Sequence, residues 1–275
     1  MKHAAFRTTL VQCAIVGAVL ALGMAGRLDA QGGNKPAVAP APRAGAPIDL
    51  TGYWVSIVTQ DWRWRMVTPA KGDYVGVPMN VEAKKVADTW DPAKDEAAGE
   101  QCKSYGAPAL MSVPGRLHIT WENDNTLKVD TDAGMQTRLL QFGEQRASPE
   151  TPRTWKGVSV AQWQTPRANV PLLLRPVPRS AGSEPPSGAK GGSLRVVTTN
   201  LRAGYLRKNG VPYSANAVLT EYWDLYKRSN GEEWLTITTQ LEDPLYLREP
   251  RIIALPFKKE PNGAKWDPTP CSSRW

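Results

Sequence analysis

Apolar and polar residues alternate along most of the chain after residue 115, which is the pattern of strands with one buried face. Residues 116–132 show it most clearly, because the alternation continues on both sides of the short segment 123–125. A slip of one residue would turn every apolar side chain to the wrong face, so the pattern specifies one register for a hairpin. The cross-strand pairs of that register are Trp121–Leu127, Ile119–Val129, His118–Asp130 and Arg116–Asp132.

A second alternating segment, residues 219–241, predicts another hairpin. The loop 229–231 ends in Gly231, which suits a turn with a bulge, and it aligns the apolar residues of both halves. Opposite charges then flank the turn, as is favourable across strands. The predicted pairs are Leu225–Leu235, Trp223–Ile237, Lys227–Glu233 and Arg228–Glu232.

Five more strands bring the predicted number to about nine, at 51–58, 135–142, 155–163, 193–200 and 251–258. One short helix is predicted at about 79–89, where apolar residues recur at helical spacing before Pro92, namely Val81, Val86 and Trp90 beside Lys85. Many strands and one minor helix predict a mainly β fold, an antiparallel meander that closes into a β-barrel, with a sandwich as the alternative.

The first 30 residues have the pattern of an export signal. Lys2, His3 and Arg7 precede an apolar run at 10–24, and Ala30 offers a small residue for cleavage. The Ala/Pro-rich residues 31–48 predict a solvated linker, and residues 49–275 predict a single domain that includes a mobile Pro/Gly-rich insertion at 165–192. We therefore expect a periplasmic or secreted protein without a transmembrane segment in its mature form.

Charge and cysteine content narrow the classes of function. Residues 1–30 hold three of the 34 basic and one of the 26 acidic side chains, so the remainder carries a dispersed charge of +6, without the clustered stripe that nucleic-acid binding requires. His118 is the only histidine after the signal, which excludes multi-histidine metal sites, and we expect no metal or cofactor. Cys102 and Cys271 predict a disulfide in an oxidising compartment, with a catalytic thiol as the alternative.

Three side chains are candidates for catalysis, namely Glu221, His118 and Asp130. Glu221 shares the alternation of Leu219 and Trp223, so its carboxylate points to the apolar side, either as a general acid or ligand contact, or paired with an arginine. His118 would act as a base, and Asp130 lies opposite it in the predicted hairpin. The pair resembles a histidine base that is oriented by a carboxylate. Cross-strand ionic pairs on a polar face are equally common, so a structural interpretation also fits.

Aromatic and basic residues alternate in two further segments. Residues 61–65 contain Trp62, Arg63 and Trp64, which suit stacking on a planar ligand or holding an anion, or else form a strand with a buried Trp face and a solvated Arg face. Arg207 lies in a donor-rich turn at 206–214, flanked by aromatic side chains in the way expected of a barrel mouth or of an ordinary surface turn. These flanking residues are Tyr205 and Tyr213.

The start of the domain resembles a known family. Gly52-Tyr53-Trp54 is similar to the Gly-x-Trp opening of lipocalin-type barrels, and residues 90–102 and 209–214 resemble exported bacterial proteins whose activity is uncharacterised. The lipocalin resemblance implies an eight-stranded barrel around a small apolar ligand, with Trp54 closing one end.

Three functions fit these patterns. The first is a barrel that binds a small apolar or aromatic molecule, and the residues expected near the ligand are Trp54, Trp62, Arg63, Trp64, Tyr205, Arg207, Tyr213 and Glu221. The second is a barrel enzyme that performs acid–base isomerisation or hydrolysis with a buried carboxylate. The third is a non-catalytic partner in the cell envelope. Fold alone does not choose between them.

Overall fold

The computed structural model describes residues 40–143, 148, 150–165 and 191–274. The strands are β1 (Gly52–Ser56), β2 (Arg116–Asn123), β3 (Thr126–Thr131), β4 (Ala133–Gly134), β5 (Thr137–Phe142), β6 (Val158–Gln164), β7 (Ser193–Thr199), β8 (Gly204–Tyr205), β9 (Pro212–Tyr213), β10 (Val218–Lys227), β11 (Glu233–Glu242), β12 (Arg251–Glu260) and β13 (Thr269–Pro270). The helices are α1 (Trp62–Arg65), α2 (Val81–Asp88), α3 (Pro92–Ala97) and α4 (Ala107–Leu110), with a 3₁₀ helix at Gln101–Tyr105.

Nine of these strands form a closed barrel, in the ring order β1, β12, β11, β10, β7, β6, β5, β3 and β2. The prediction of a mainly β fold with a closed barrel is therefore confirmed, although nine strands differ from the eight that the lipocalin resemblance implied. Neighbouring strands are antiparallel except β5 and β6, which are parallel. Strand directions cannot alternate throughout a ring with an odd number of members, so closure with nine strands requires a parallel pair.

Both predicted hairpin registers are confirmed. β2 and β3 pair His118 with Asp130 and Trp121 with Leu127, and a bulge between Trp121 and Asn123 tightens the turn. β10 and β11 pair Trp223 with Ile237 and continue to Lys227 opposite Glu233 at the turn. The alternation of apolar and polar residues determined both registers, because each of these strands buries only one of its two faces.

The two ends of the barrel are closed by different parts of the chain. Residues 57–115, 200–217 and 243–250 connect strands at one end and contain all four α-helices; we call these residues the cap. At the opposite end the rings of Trp121, Phe142 and Trp163 pack together, with centroids 5.3–6.5 Å apart. Residues 40–48, the described part of the predicted linker, lie at this end, where the Trp163 indole N–H donates to the carbonyl of Pro42 (2.9 Å).

Helix α2 confirms the predicted helix, but the predicted apolar face is wrong. Asn80 caps the helix, because its side-chain oxygen accepts from the backbone N–H of Ala83 (2.9 Å). Ala83 and Ala87 form the buried face, whereas Val81 is 67% exposed. The small alanines allow the helix to pack closely against the rest of the cap. The larger apolar residues of the helix therefore do not mark its buried face.

The predicted disulfide joins Cys102 to Cys271, with 5.1 Å between their Cα atoms. It ties the C-terminal segment to the cap. The predicted signal at 1–30, the linker residues 31–39 and the insertion residues 166–190 lie outside the described residues. Among the helices that the structure does describe, none combines the length and apolar character needed to cross a bilayer.

Candidate functional site

A cavity of about 30 Å³ lies within the cap end of the barrel. Three buried arginines line it, Arg65, Arg207 and Arg251, and we call it the arginine cavity. The remaining lining residues are Asp61, Trp64, Ser104, Ala109, Ser112, Val113, Leu206 and Lys208. Buried arginines are rare unless paired, so three of them around one cavity indicate a specific role.

The segment 61–65 forms the short helix α1 instead of the strand that was one of its two interpretations. Asp61 precedes the helix with φ 53°, in the left-handed region, and this turn brings Trp64 and Arg65 to the cavity. Arg65 is then fixed in place, since its Nε donates to the carbonyl of Ser112 (2.7 Å) and its Nη2 to the hydroxyl of Ser56 (3.2 Å). The predicted pattern of a buried Trp face and a solvated Arg face does not hold here, because Trp62 is 67% exposed and Arg65 is buried.

Arg207 reaches the cavity from the turn between β8 and β9. That turn is buried, so it is a structured loop at the barrel end and not a surface turn. The guanidinium donates to the carbonyl of Val75 (2.6 Å) and lies 4.8 Å from the centroid of the Trp64 ring. The cation–π contact leaves the edge of the guanidinium available for other acceptors.

Arg251, the first residue of β12, completes the cavity. Its Nη2 donates to Asp61 Oδ2 at 3.3 Å, and Arg207 Nη2 donates to the same oxygen at 3.3 Å. One carboxylate is therefore shared by two guanidinium groups. Asp61 is the single acidic residue among the residues lining the cavity, which leaves the site with an excess of positive charge.

This charge excess is visible in the pKa values. The pKa of Arg251 is lowered to about 10, chiefly by burial and in part by the neighbouring Arg207 and Arg65, while Asp61 partly offsets these effects. Burial likewise lowers the pKa of Arg65 to about 10 and that of Arg207 below its ordinary value. All three remain protonated at neutral pH, so the protein holds a cationic cluster at a cost in solvation free energy.

Two buried N–H donors of the cavity-lining residues have no hydrogen-bond partner in the described residues, Nε of Arg251 and Nε1 of Trp64. Leaving such groups unpaired costs about 1–3 kcal/mol each. Both groups donate and neither accepts, so like the excess of arginine charge they make the surroundings of the cavity favourable to negative charge. The arrangement is therefore suited to an anion.

A second buried polar cluster lies inside the barrel, between two apolar clusters. Glu221 is fully buried and pairs with Arg138, whose Nη1 and Nη2 donate to its two carboxylate oxygens at 3.0 and 2.6 Å. Arg138 Nη2 also donates to Ser159 (3.3 Å) and Thr198 (3.2 Å). Of the alternatives for Glu221, the pairing with an arginine is the one found.

The other predicted site residues are dispersed. Trp54 is buried in the barrel, where its indole N–H donates to the carbonyl of Leu50 (2.9 Å). Arg63 pairs with Asp73 (3.0 Å) at the surface. Two tyrosines lie in the cap away from the cavity lining, namely Tyr205, which contacts Lys103, and the fully buried Tyr213.

His118 and Asp130 are neighbours across strands but do not form an oriented base. The His118 ring stacks on Tyr53, with ring centroids 4.1 Å apart. Asp130 instead accepts a hydrogen bond from Thr137 (2.6 Å) and pairs with Lys128 (3.2 Å). The structural interpretation of this pair fits these contacts.

Sequence reasoning missed Arg138 and Arg251, and it included Arg65 only within the segment 61–65 proposed for stacking or anion binding, not among the expected site residues. A signal was present for two of them, because Arg138 alternates in phase with Leu140, and Arg251 with Ile253 and Leu255. An arginine in phase with the buried residues of a strand predicts a buried charge, as Glu221 did. Arg65 follows a turn whose left-handed geometry could not be foreseen.

The chain is thus a closed nine-stranded β-barrel with a cationic cavity at its capped end. Comparison with protein-family models, curated proteins and solved structures finds no match. Within the described residues, no group of three or more His, Cys, Asp or Glu side chains is placed to hold a metal ion.

Proposed function

We propose that this protein is an exported binding protein for a small molecule that carries an anionic group, and that the group occupies the arginine cavity. The observation that carries the proposal is three buried guanidiniums, Arg65, Arg207 and Arg251, around a cavity with one lining carboxylate. That carboxylate, Asp61, accepts hydrogen bonds from two of them, Arg207 and Arg251. A protein keeps such a costly cluster where it serves binding, because apolar residues of similar volume are often as stable or more so.

The chemistry of the ligand follows from the donors. Guanidinium groups match the planar or tetrahedral oxygens of carboxylate, sulfate and phosphate groups, and they remain charged throughout the physiological range. The Trp64 ring beside Arg207 adds an aromatic surface to the same site. Small-molecule binding, predicted for apolar or aromatic ligands, is therefore retained with an anionic group added.

The enzyme alternative has less support from the contacts. Both oxygens of Glu221 accept hydrogen bonds from Arg138, and the side chain is fully buried. With both oxygens occupied by Arg138 and the side chain enclosed, the carboxylate has no free face for a substrate. We assign this pair to the structure of the barrel interior.

Export remains part of the proposal and has two supports. The first is the signal pattern at residues 1–30. The second is the disulfide between Cys102 and Cys271, since disulfides persist chiefly in oxidising compartments. Fractionation of cells that express the full chain, with N-terminal sequencing of the product, tests cleavage after Ala30 and the location of the mature protein.

The binding proposal is tested by isothermal titration calorimetry with acetate, sulfate and phosphate at low ionic strength. Replacing Arg251 by methionine should weaken binding about tenfold to a hundredfold, since a hydrogen bond to a charged group contributes about 1.5–3 kcal/mol. Arg248→Met is the matched control, because Arg248 is exposed and outside the cavity lining. Native mass spectrometry of protein purified from its own host would reveal a co-purifying anion.

The same substitution separates lost binding from lost folding. Arg251→Met removes one of three mutually repelling buried charges, so we expect the ligand-free variant to gain about 1–2 kcal/mol in its free energy of unfolding. A variant that is more stable and binds less supports a binding role. Unchanged affinity in Arg251→Met would contradict the proposal.

A further inference from the structure

Four large apolar side chains are exposed within residues 62–75, beside the cavity-lining residues Asp61, Trp64 and Arg65. The exposed fractions are 67% for Trp62, 53% for Met66, 54% for Val67 and 67% for Val75, and we call these residues the apolar rim. Single exposed apolar residues are normal, but several close together mark a binding surface.

Three contacts hold the apolar rim next to the cavity. The backbone N–H of Met66 donates to the carbonyl of Trp62 (2.9 Å), which places both on one turn of chain with the cavity residue Arg65 between them. The ion pair of Arg63 with Asp73 ties this turn to the loop that carries Val75. The Val75 carbonyl accepts the hydrogen bond from the cavity residue Arg207, so this rim residue is in direct contact with a residue that lines the cavity.

We infer that the ligand is an amphiphilic anion, with an oxyanion head group in the arginine cavity and an apolar body on the apolar rim. The inference rests on the proposed anion-binding function and specifies its ligand class. The cavity volume of about 30 Å³ corresponds to about two water molecules, so at most a compact head group could enter it. Any larger body must therefore lie outside, where the exposed side chains of the rim would cover it.

The geometry favours a free molecule over the surface of a lipid bilayer. Arg65, Arg207 and Arg251 are only 6%, 6% and 7% exposed, so their donors are recessed below the protein surface. A flat array of head groups cannot reach recessed donors, whereas the head of a single molecule can enter the cavity. The occupant to which we commit is thus a monomeric amphiphile in water.

Calorimetric titration with alkyl carboxylates and alkyl phosphates of increasing chain length, each below its critical micelle concentration, tests the inference. Affinity should rise about fourfold for each methylene that the rim buries, which corresponds to about 0.8 kcal/mol per group. The corresponding alcohols, which lack the charge, should bind at least about tenfold more weakly than the anions of equal length.

Variants of the rim separate its role from that of the cavity. Trp62→Ala combined with Met66→Ser should flatten the dependence on chain length and leave acetate or phosphate affinity unchanged. Both residues are exposed, so we expect the variant to fold. Leu139→Ala is the matched control, because Leu139 is an exposed apolar residue on the barrel wall and should leave the series unaltered.

The possible failures are distinguishable. Binding of acetate and phosphate without any effect of chain length would overturn the amphiphile inference and leave the proposed function intact. Absence of binding to every anion would overturn both. Binding to anionic phospholipid vesicles without binding to monomeric amphiphiles would refute the free occupant in favour of a membrane surface.

Discussion

Replacing Glu221 by glutamine should strongly destabilise the barrel. The substitution preserves the shape of the side chain but removes the negative charge that faces Arg138. Both side chains are at most 1% exposed, so water cannot solvate the guanidinium that remains. The variant therefore keeps a buried positive charge whose partners are all neutral, namely the glutamine carbonyl and the hydroxyls of Ser159 and Thr198.

The expected loss is about 3–5 kcal/mol in the free energy of unfolding, the usual cost of removing one partner of a buried pair. A direct calculation agrees in scale. Two opposite charges about 4 Å apart attract by about 4 kcal/mol at an effective dielectric constant of about 20. The glutamine carbonyl keeps one neutral hydrogen bond of about 1 kcal/mol, which offsets part of that loss.

The double variant Arg138→Met with Glu221→Leu should recover most of the stability. It removes both charges, and Ser159 and Thr198 still bond to each other at 2.8 Å. Since replacing a whole buried pair by apolar residues is often neutral, we expect stability within about 1 kcal/mol of the wild type.

Urea unfolding followed by tryptophan fluorescence measures all three proteins. The control is Glu82→Gln, which breaks the exposed pair of Glu82 with Lys85 (2.8 Å) and should cost less than about 0.5 kcal/mol. A cost below about 1 kcal/mol for Glu221→Gln would refute the reasoning. So would a double variant as unstable as the sum of its two single variants.

Three further predictions concern other parts of the barrel. Burial lowers the pKa of Lys208 from 10.5 to about 8, so between these pH values the folded protein binds fewer protons than the unfolded chain. The free energy of unfolding relative to Lys208→Met should therefore rise by about 2 kcal/mol between pH 7.5 and 10, as measured by urea titration. A difference that stays constant with pH would contradict this. Replacing Cys102 and Cys271 by serine opens a loop spanning 169 positions, which should lower the free energy of unfolding by about 5 kcal/mol in the chain-entropy model; an unchanged urea midpoint would exclude this contribution. Gly210 and Gly231 both have positive φ, but a Cβ at Gly210 would lie 2.3 Å from Cβ of Trp90, whereas one at Gly231 meets nothing within 4 Å. Alanine should therefore lower the free energy of unfolding by about 3 kcal/mol at Gly210 and by about 1 kcal/mol at Gly231. Equal melting temperatures of the two variants would be inconsistent with the crowding at Gly210.

The alternation of apolar and polar residues shows which charges are buried, but it does not show which of them meet in the folded protein. Glu221 was found because a charge interrupts an apolar face, and the same reasoning applied to Arg138 or Arg251 would have found them. Which charge pairs with which remained undetermined, because Arg138 and Glu221 lie 83 residues apart and meet only after β5 and β10 are brought round the ring.

The amino-acid sequence by itself determined the nine strands of the barrel, the registers of both hairpins and the pairing of the cysteines. These depend on local periodicity, as in the alignment of Trp121 with Leu127, or on a simple count of thiols. The tertiary structure decided the parallel pair of β5 and β6 and the arginine cavity, whose three arginines come from three distant segments. Long-range packing assembles such a site, and its electrostatic character arises only when Arg65, Arg207 and Arg251 are buried together, since each of them exposed alone would be an ordinary surface charge.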